Sequence, residues 1–90
     1  MEKNKVFKKY LLTIDGMKCG MCESHVNDLI RRLIGIKKVK SNRLNGQVEV
    51  ICLDNVSYES LEKALSGSGY KILSYDSKYV VRTFFGYKNQ

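Results

Sequence analysis

Four changes of apolar period within 90 residues limit the folds open to this chain more than any other feature. Tyr10, Leu12 and Ile14 alternate with Leu11 and Thr13, which predicts a first strand beginning near Val6 and ended by Asp15 and Gly16. From Cys22 the period lengthens: Val26, Leu29, Ile30, Leu33 and Ile34 fall on one helical stripe, stopped by Gly35. Ile36 to Arg43 and Val48 to Leu53 are rich in β-branched residues. They are joined through Asn45 and Gly46, which predicts a two-residue type I′ turn with positive φ at both positions. Val48, Val50 and Cys52 share one face of the second arm. A second helix follows Ser57 as N-cap, with Val56 and Leu61 placed as a hydrophobic staple and Tyr58, Leu61, Ala64 and Leu65 as its buried stripe. Gly67 ends that helix, and Tyr70 to Tyr75 supply a fourth strand.

The order strand, helix, strand, strand, helix, strand is the βαββαβ pattern of the α+β ferredoxin-like fold, an antiparallel four-stranded sheet with both helices on one face. A chain of 90 residues holds one such core and no second domain. Residues 1–75 make up that domain, and residues 76–90 form a C-terminal extension. Tyr79, Val80, Val81, Phe84 and Phe85 are apolar and strand-prone, so the extension is expected to add an edge strand or a self-association segment.

Three cysteines cannot form a fully paired disulfide framework, and the absence of proline excludes a fold that needs a cis-Pro beside its active site. The apolar run after the amino-terminal lysines is too short for a signal segment, and no run approaches the roughly 20 residues that span a bilayer. The expected compartment is therefore the reducing cytoplasm, with no membrane insertion, and thiols there are read first as metal or redox groups.

Two of the thiols sit in the loop Gly16-Met17-Lys18-Cys19-Gly20-Met21-Cys22, between the first strand and the first helix. Thiols three positions apart can converge on one ion, and the helix start favours negative charge on the second of them. Two soft thiolates satisfy Cu(I) at low coordination, whereas structural Zn(II) wants four ligands. Cys52, on the core-facing stripe of a strand, reads as a small buried hydrophobe.

From Gly16-Met17-x-Cys19-x-x-Cys22, the following Val26 and the Gly69-Tyr70 pair before the last strand, the chain resembles the heavy-metal-associated domain over about residues 6 to 75. That family comprises free copper chaperones and the amino-terminal repeats of copper-transporting P-type ATPases. The resemblance implies that Cys19 and Cys22 are the metal ligands, that Met17 is a buried prop beneath the loop and that Tyr70 stands close to the site. The Gly-Tyr form is similar to the bacterial chaperones of the family. Lys18 stands where the family usually has Thr or Ser; its cation would favour the Cys19 thiolate, or it is a solvated loop residue. His25 shares a helix side with Cys22 and is placed either as a third ligand or as a solvent-facing residue at the edge of the stripe. Glu23 and Asp28 suit the helix dipole better than ligation, and Met21 reads as an exposed contact for a partner.

These readings lead to a metallochaperone that carries Cu(I) on Cys19 and Cys22 and hands it to a metal-transporting P-type ATPase or another Cys-x-x-Cys protein, without catalysis. A Zn(II) or Cd(II) carrier that adds His25 is the alternative within the family, and a thiol–disulfide redox protein the alternative outside it. The redox reading suffers from the short chain and the lack of proline. RNA binding, which shares the βαββαβ order, needs stacking aromatics on the third strand, where Gln47 to Cys52 offers none, so no specific nucleic-acid partner is expected. The net charge of +7 is concentrated in Arg31, Arg32, Lys37, Lys38, Lys40 and Arg43, a run expected either to be a solvated face or to meet an acidic partner, anionic lipid or nucleic acid, with docking of an acidic partner beside the metal loop the preferred reading. The chain is expected as a monomer, or as a homodimer joined by metal or by the tail.

Overall fold

Strand β1 (Val6–Asp15) takes the centre of the sheet because one of its faces is apolar almost throughout: Tyr10, Leu12 and Ile14 are all buried. The computed structural model describes residues 6–83 and 86–89. After β1 come α1 (Gly20–Arg31), β2 (Ile36–Asn42), β3 (Gln47–Leu53), α2 (Tyr58–Leu65), β4 (Lys71–Thr83) and β5 (Gly86–Asn89). The strands lie in the order β2-β3-β1-β4-β5 with every neighbouring pair antiparallel. The first four give the expected ferredoxin-like sheet, and β5 is the added edge strand.

Alternation along β1 and β3 sends Tyr10, Leu12, Ile14, Val48, Val50 and Cys52 to one core, where they meet Val26 and Ile30 of α1 and Leu61 and Leu65 of α2. The Tyr10 hydroxyl donates to the Val56 carbonyl at 2.9 Å, satisfying the one polar atom this face buries from β1. Residues of the other parity, Phe7, Ile51 and Val80, form a second and smaller cluster. Helix α2 begins as its sequence predicts: the Ser57 hydroxyl accepts from the Ser60 amide, and Val56 and Leu61 are both buried.

Three local expectations are corrected. The β2–β3 connection is a four-residue loop closed by the Asn42–Gln47 pair, with positive φ at Gly46 alone and not at Asn45. The side chains of Asn42 and Asn45 instead accept from the amides of Leu44 and Gln47, two short turns in sequence that replace the type I′ geometry. Helix α1 stops at Arg31, so Leu33 is only half-buried and Ile34 is 95% exposed. The fourth strand does not end at Tyr75. Its pairing with β1 runs on to Val6–Val81, and β5 pairs with Val80 to Thr83. Phe84 and Phe85 lie outside the described residues.

Chain direction gives the molecule two ends. The β1–α1 loop, the β2–β3 hairpin and the α2–β4 connection gather at one: Ile14 donates to the Gly46 carbonyl at 2.7 Å, and a Cβ on Gly16 would lie 3.0 Å from the Gly69 carbonyl oxygen. The α1–β2 and β3–α2 loops lie at the other, tied by the Leu53 amide donating to the Gly35 carbonyl at 2.9 Å.

Candidate metal-binding site

The loop that carries the two thiols is short because Gly16, at φ +99°, turns the chain sharply out of β1. Met17 then drops into the core, 4% exposed, and fixes the loop from beneath. Lys18, Cys19, Gly20 and Met21 are left exposed on its outer side. Cys19 is the N-cap of α1, with an extended backbone; its carbonyl accepts from the Glu23 amide at 3.1 Å, while its side chain makes no cap bond. Cys22, in the first turn of the helix, is half-buried against the core.

Three-residue spacing at a helix start brings the two sulfurs to 3.1 Å, and both cysteines are free thiols. The Cys19 thiol, then the backbone groups of Lys18 and Cys19 and the Tyr70 hydroxyl hydrogen-bond to Cys22 and lower its pKa to about 7, against a small opposing effect of burial. Tyr70 itself is pushed up, first by burial and then by the neighbouring thiol. Its hydroxyl lies 3.2 Å from Nδ1 of His25, and the two rings meet edge to face with centroids 5.5 Å apart. His25 is thus turned to Tyr70, and among the described residues no group of three His, Cys, Asp or Glu side chains converges as a metal cage. Cys52 is buried, its thiol pushed up to about 11 by burial.

Glu23 does more than face the helix dipole. Its carboxylate accepts from the Arg43 amide at 2.6 Å and lies 3.5 Å from the Arg43 guanidinium, which brings the β2–β3 hairpin against the thiol loop. Leu44, beside it in the hairpin, is 86% exposed, and Met21 is 83% exposed. Arg43 and Leu44 were not legible as site residues from local pattern; the βαββαβ topology, which returns the β2–β3 hairpin to the β1–α1 end, is the signal that places them. The rest of the basic run is not beside the thiol loop. At about 1.5 Å rise per residue, the 12 residues of α1 carry Arg31 about 16 Å from its start, and Arg32, Lys37 and Lys38 follow it to the far end.

Residues 11–71 match the heavy-metal-associated domain. The chain belongs to the heavy-metal-associated domain family. The copper chaperone CopZ of Staphylococcus aureus is 31% identical over 64 residues, covering 70% of this chain and 94% of that relative. The solved structure of a CopZ metallochaperone superposes with a TM-score of 0.69 at 30% identity, over 72% of this chain and 98% of the other. The amino-terminal domain of ZntA in its Zn(II) form gives a TM-score of 0.64 at 28% identity, over 72% of this chain and 88% of that domain. Heavy-metal-associated chaperones are metal-binding carriers rather than enzymes. Among the described residues of this member, no helix is long and apolar enough to cross a membrane.

Proposed function

We propose that this chain is a cytoplasmic metallochaperone that carries Cu(I) between Cys19 and Cys22 and passes it to a metal-transporting P-type ATPase or another Cys-x-x-Cys protein by stepwise thiolate exchange. The observation that carries the reading is the thiol pair, 3.1 Å apart at the molecular surface with its inner member at a pKa of about 7. Two soft donors suit an ion of low coordination number. With a metal–thiolate bond of about 2.3 Å, an ion on the line between the sulfurs needs them about 4.6 Å apart, so the pair must open. Cys19, exposed and without a side-chain cap bond, is the thiol free to swing, and the same freedom lets an incoming thiolate displace it. Lys18 offsets part of the charge of a bis-thiolate centre. Met21 and Leu44, with Lys18 and Arg43 around them, provide a small apolar contact with a basic rim, suited to brief docking on an acidic partner.

The likeness to the zinc form of ZntA favours a second reading, in which Zn(II) or Cd(II) is held with His25 as an extra ligand. That reading requires His25 to leave Tyr70. Anaerobic Cu(I) and Zn(II) affinities of Cys19→Ser, Cys22→Ser and His25→Ala separate the two. Loss of either thiol removes Cu(I) retention against a competing chelator, while His25→Ala leaves it unchanged. If His25→Ala weakens Cu(I) as much as loss of a thiol, the two-thiolate reading fails. A reduction potential near that of thioredoxin, without Cu(I) retention, would make the pair a redox centre instead.

A further inference from the structure

We infer that the end of the molecule opposite the thiols docks on an anionic lipid surface, through Ile34 set among Arg31, Arg32, Lys37 and Lys38. The surface does not depend on which ion the thiols carry. Ile34 is the most exposed large hydrophobe among the described residues, at 95%. Its exposure is built into the loop and is not fraying. The Leu33 amide donates to the Ile30 carbonyl at 3.0 Å on one side, and on the other the Leu53 amide donates to the Gly35 carbonyl at 2.9 Å. Leu33 and Ile36 both pack against the core, so Ile34 is held outward between two anchored neighbours. Gly35 makes this turn available: its φ is +99°, and a Cβ there would lie 3.0 Å from Cγ2 of Val56.

Around that apolar tip stand four exposed cations, and the chain has no acidic residue between Asp28 and Glu49. The ion pairs among the described residues, Lys9 with Glu49 and Arg43 with Glu23, use none of the four. Among the described residues the acids at this end are Asp28, one helical turn before Arg31 and Arg32 and in no ion pair with them, and Asp54 and Glu59, in the next loop and the first turn of α2. The groove beside Ile34 is lined by Arg32, Leu33, Asn55, Val56 and Ser60, without an acid.

One aliphatic side chain in a basic collar fits a lipid headgroup layer, where cations meet phosphates in any arrangement and a short apolar tip enters the interface. A protein partner would be met by a contiguous apolar patch with aromatic or Met anchors, and single-stranded nucleic acid by stacking rings; Arg31 to Lys38 contains neither. Docked by this end, the molecule keeps Cys19 and Cys22 on the side away from the lipid, open to a partner.

The sequence has no tryptophan, so Ile34→Trp gives the full chain a single reporter at the tip. Its emission shifts to the blue with phosphatidylglycerol vesicles and stays in place with phosphatidylcholine vesicles. In co-sedimentation of the otherwise unchanged chain with phosphatidylglycerol vesicles, Arg32→Ala and Lys37→Ala each weaken binding about fivefold, the effect of one cation near an anionic surface. Ile34→Ser weakens it further at the same salt slope, and 1 M salt, with a Debye length of about 3 Å, releases the chain. All three positions are exposed, and circular dichroism identical to the parent confirms that each variant is folded. The proposal is overturned if the tryptophan emission does not move, or if Ile34→Ser and Lys37→Ala bind the vesicles as the parent does. It is also overturned if single-stranded RNA at the same salt is bound as tightly and loses as much affinity from the same substitutions.

Discussion

The two ends of this molecule draw on the same basic stretch of sequence and differ in what accompanies the charge. At the thiol end, Arg43 is tied to Glu23 beside a loop in which the Cys19 thiol and the backbone of Lys18 and Cys19 hydrogen-bond to Cys22. At the far end, Arg31, Arg32, Lys37 and Lys38 surround an exposed Ile34 with no acid in the loop. The run from Arg31 to Arg43 is continuous in sequence, yet the 7 residues of β2 separate its two parts by about 20 Å at 3.3 Å per residue. A charge cluster counted along the chain is therefore not a patch when each element crosses the whole molecule. Arg31, Arg32, Lys37 and Lys38, expected to dock a partner beside the thiol loop, lie at the other end.

The thiols offer the largest contrast between the ends, because Cys22 titrates at about 7 and Cys52, on the core side of β3 toward the far end, at about 11. Thiolate is the reactive form, so its fraction at pH 8 differs about a thousandfold between the two sites, and burial slows Cys52 further. Alkylation of Cys22 in the metal-free protein, followed by mass spectrometry, should rise with pH through a midpoint near 7 and level off above it, while Cys52 stays unmodified until the fold is lost. Since the Cys19 thiol is the first cause of the lowered value, Cys19→Ala should move the Cys22 midpoint upward, toward the ordinary 9.0. A midpoint unmoved by that substitution would assign the effect to the backbone and Tyr70 alone.

Packing gives the next contrast. Met17 is 4% exposed beneath the thiol loop and Ile34 is 95% exposed at the other end, although both are apolar loop residues. Met17→Ala should cost about 2–5 kcal/mol in urea unfolding by leaving a cavity under the loop. Ile34→Ala should fall within about 0.5 kcal/mol of the parent, as a surface change does. If Ile34→Ala proved as costly as Met17→Ala, Ile34 would be covered in solution by something the monomer does not supply.

Much of this was legible in the sequence, for identifiable reasons. Periods of two and 3.6 located every core element, because Tyr10, Leu12 and Ile14, or Val26 and Ile30, have to face one core from a regular backbone. The thiol loop was legible because its chemistry is local, two residues on one helix turn. What failed depended on tertiary placement or on side-chain competition with the backbone. The stripe Leu33 and Ile34 continues the helical period, but Gly35 turns the chain before Ile34 can reach the core. Asn45-Gly46 suggested a two-residue turn, yet the amide side chains of Asn42 and Asn45 support a longer one. The polar residues Asp76, Ser77 and Lys78 interrupt the apolar pattern after Tyr75, but their pairing with Leu11, Tyr10 and Lys9 needs only backbone, so β4 runs on through them. His25 is a residue whose partner, Tyr70, lies 45 positions away, a contact no local pattern encodes.

The smallest effect concerns what holds the thiol end together. Glu23 touches Arg43 twice, through the backbone amide at 2.6 Å and the guanidinium at 3.5 Å, and also sits in the first turn of α1. The amide bond should matter more. It is short, charge-assisted and made to a group with no side-chain freedom to lose, whereas the Arg43 side chain is 44% exposed and its pairing is screened by water. Glu23→Ala, which removes both contacts and the favourable charge at the helix start, should cost about 1–2 kcal/mol. Glu23→Gln keeps an acceptor for the amide and should cost about half as much; Arg43→Ala keeps the amide bond and should cost no more than about 0.5 kcal/mol. Urea melts of the three variants test that order. A loss in Arg43→Ala equal to that in Glu23→Ala would mean that the ion pair, and not the amide bond, joins the hairpin to the thiol loop, and that high salt should loosen this end and not the other.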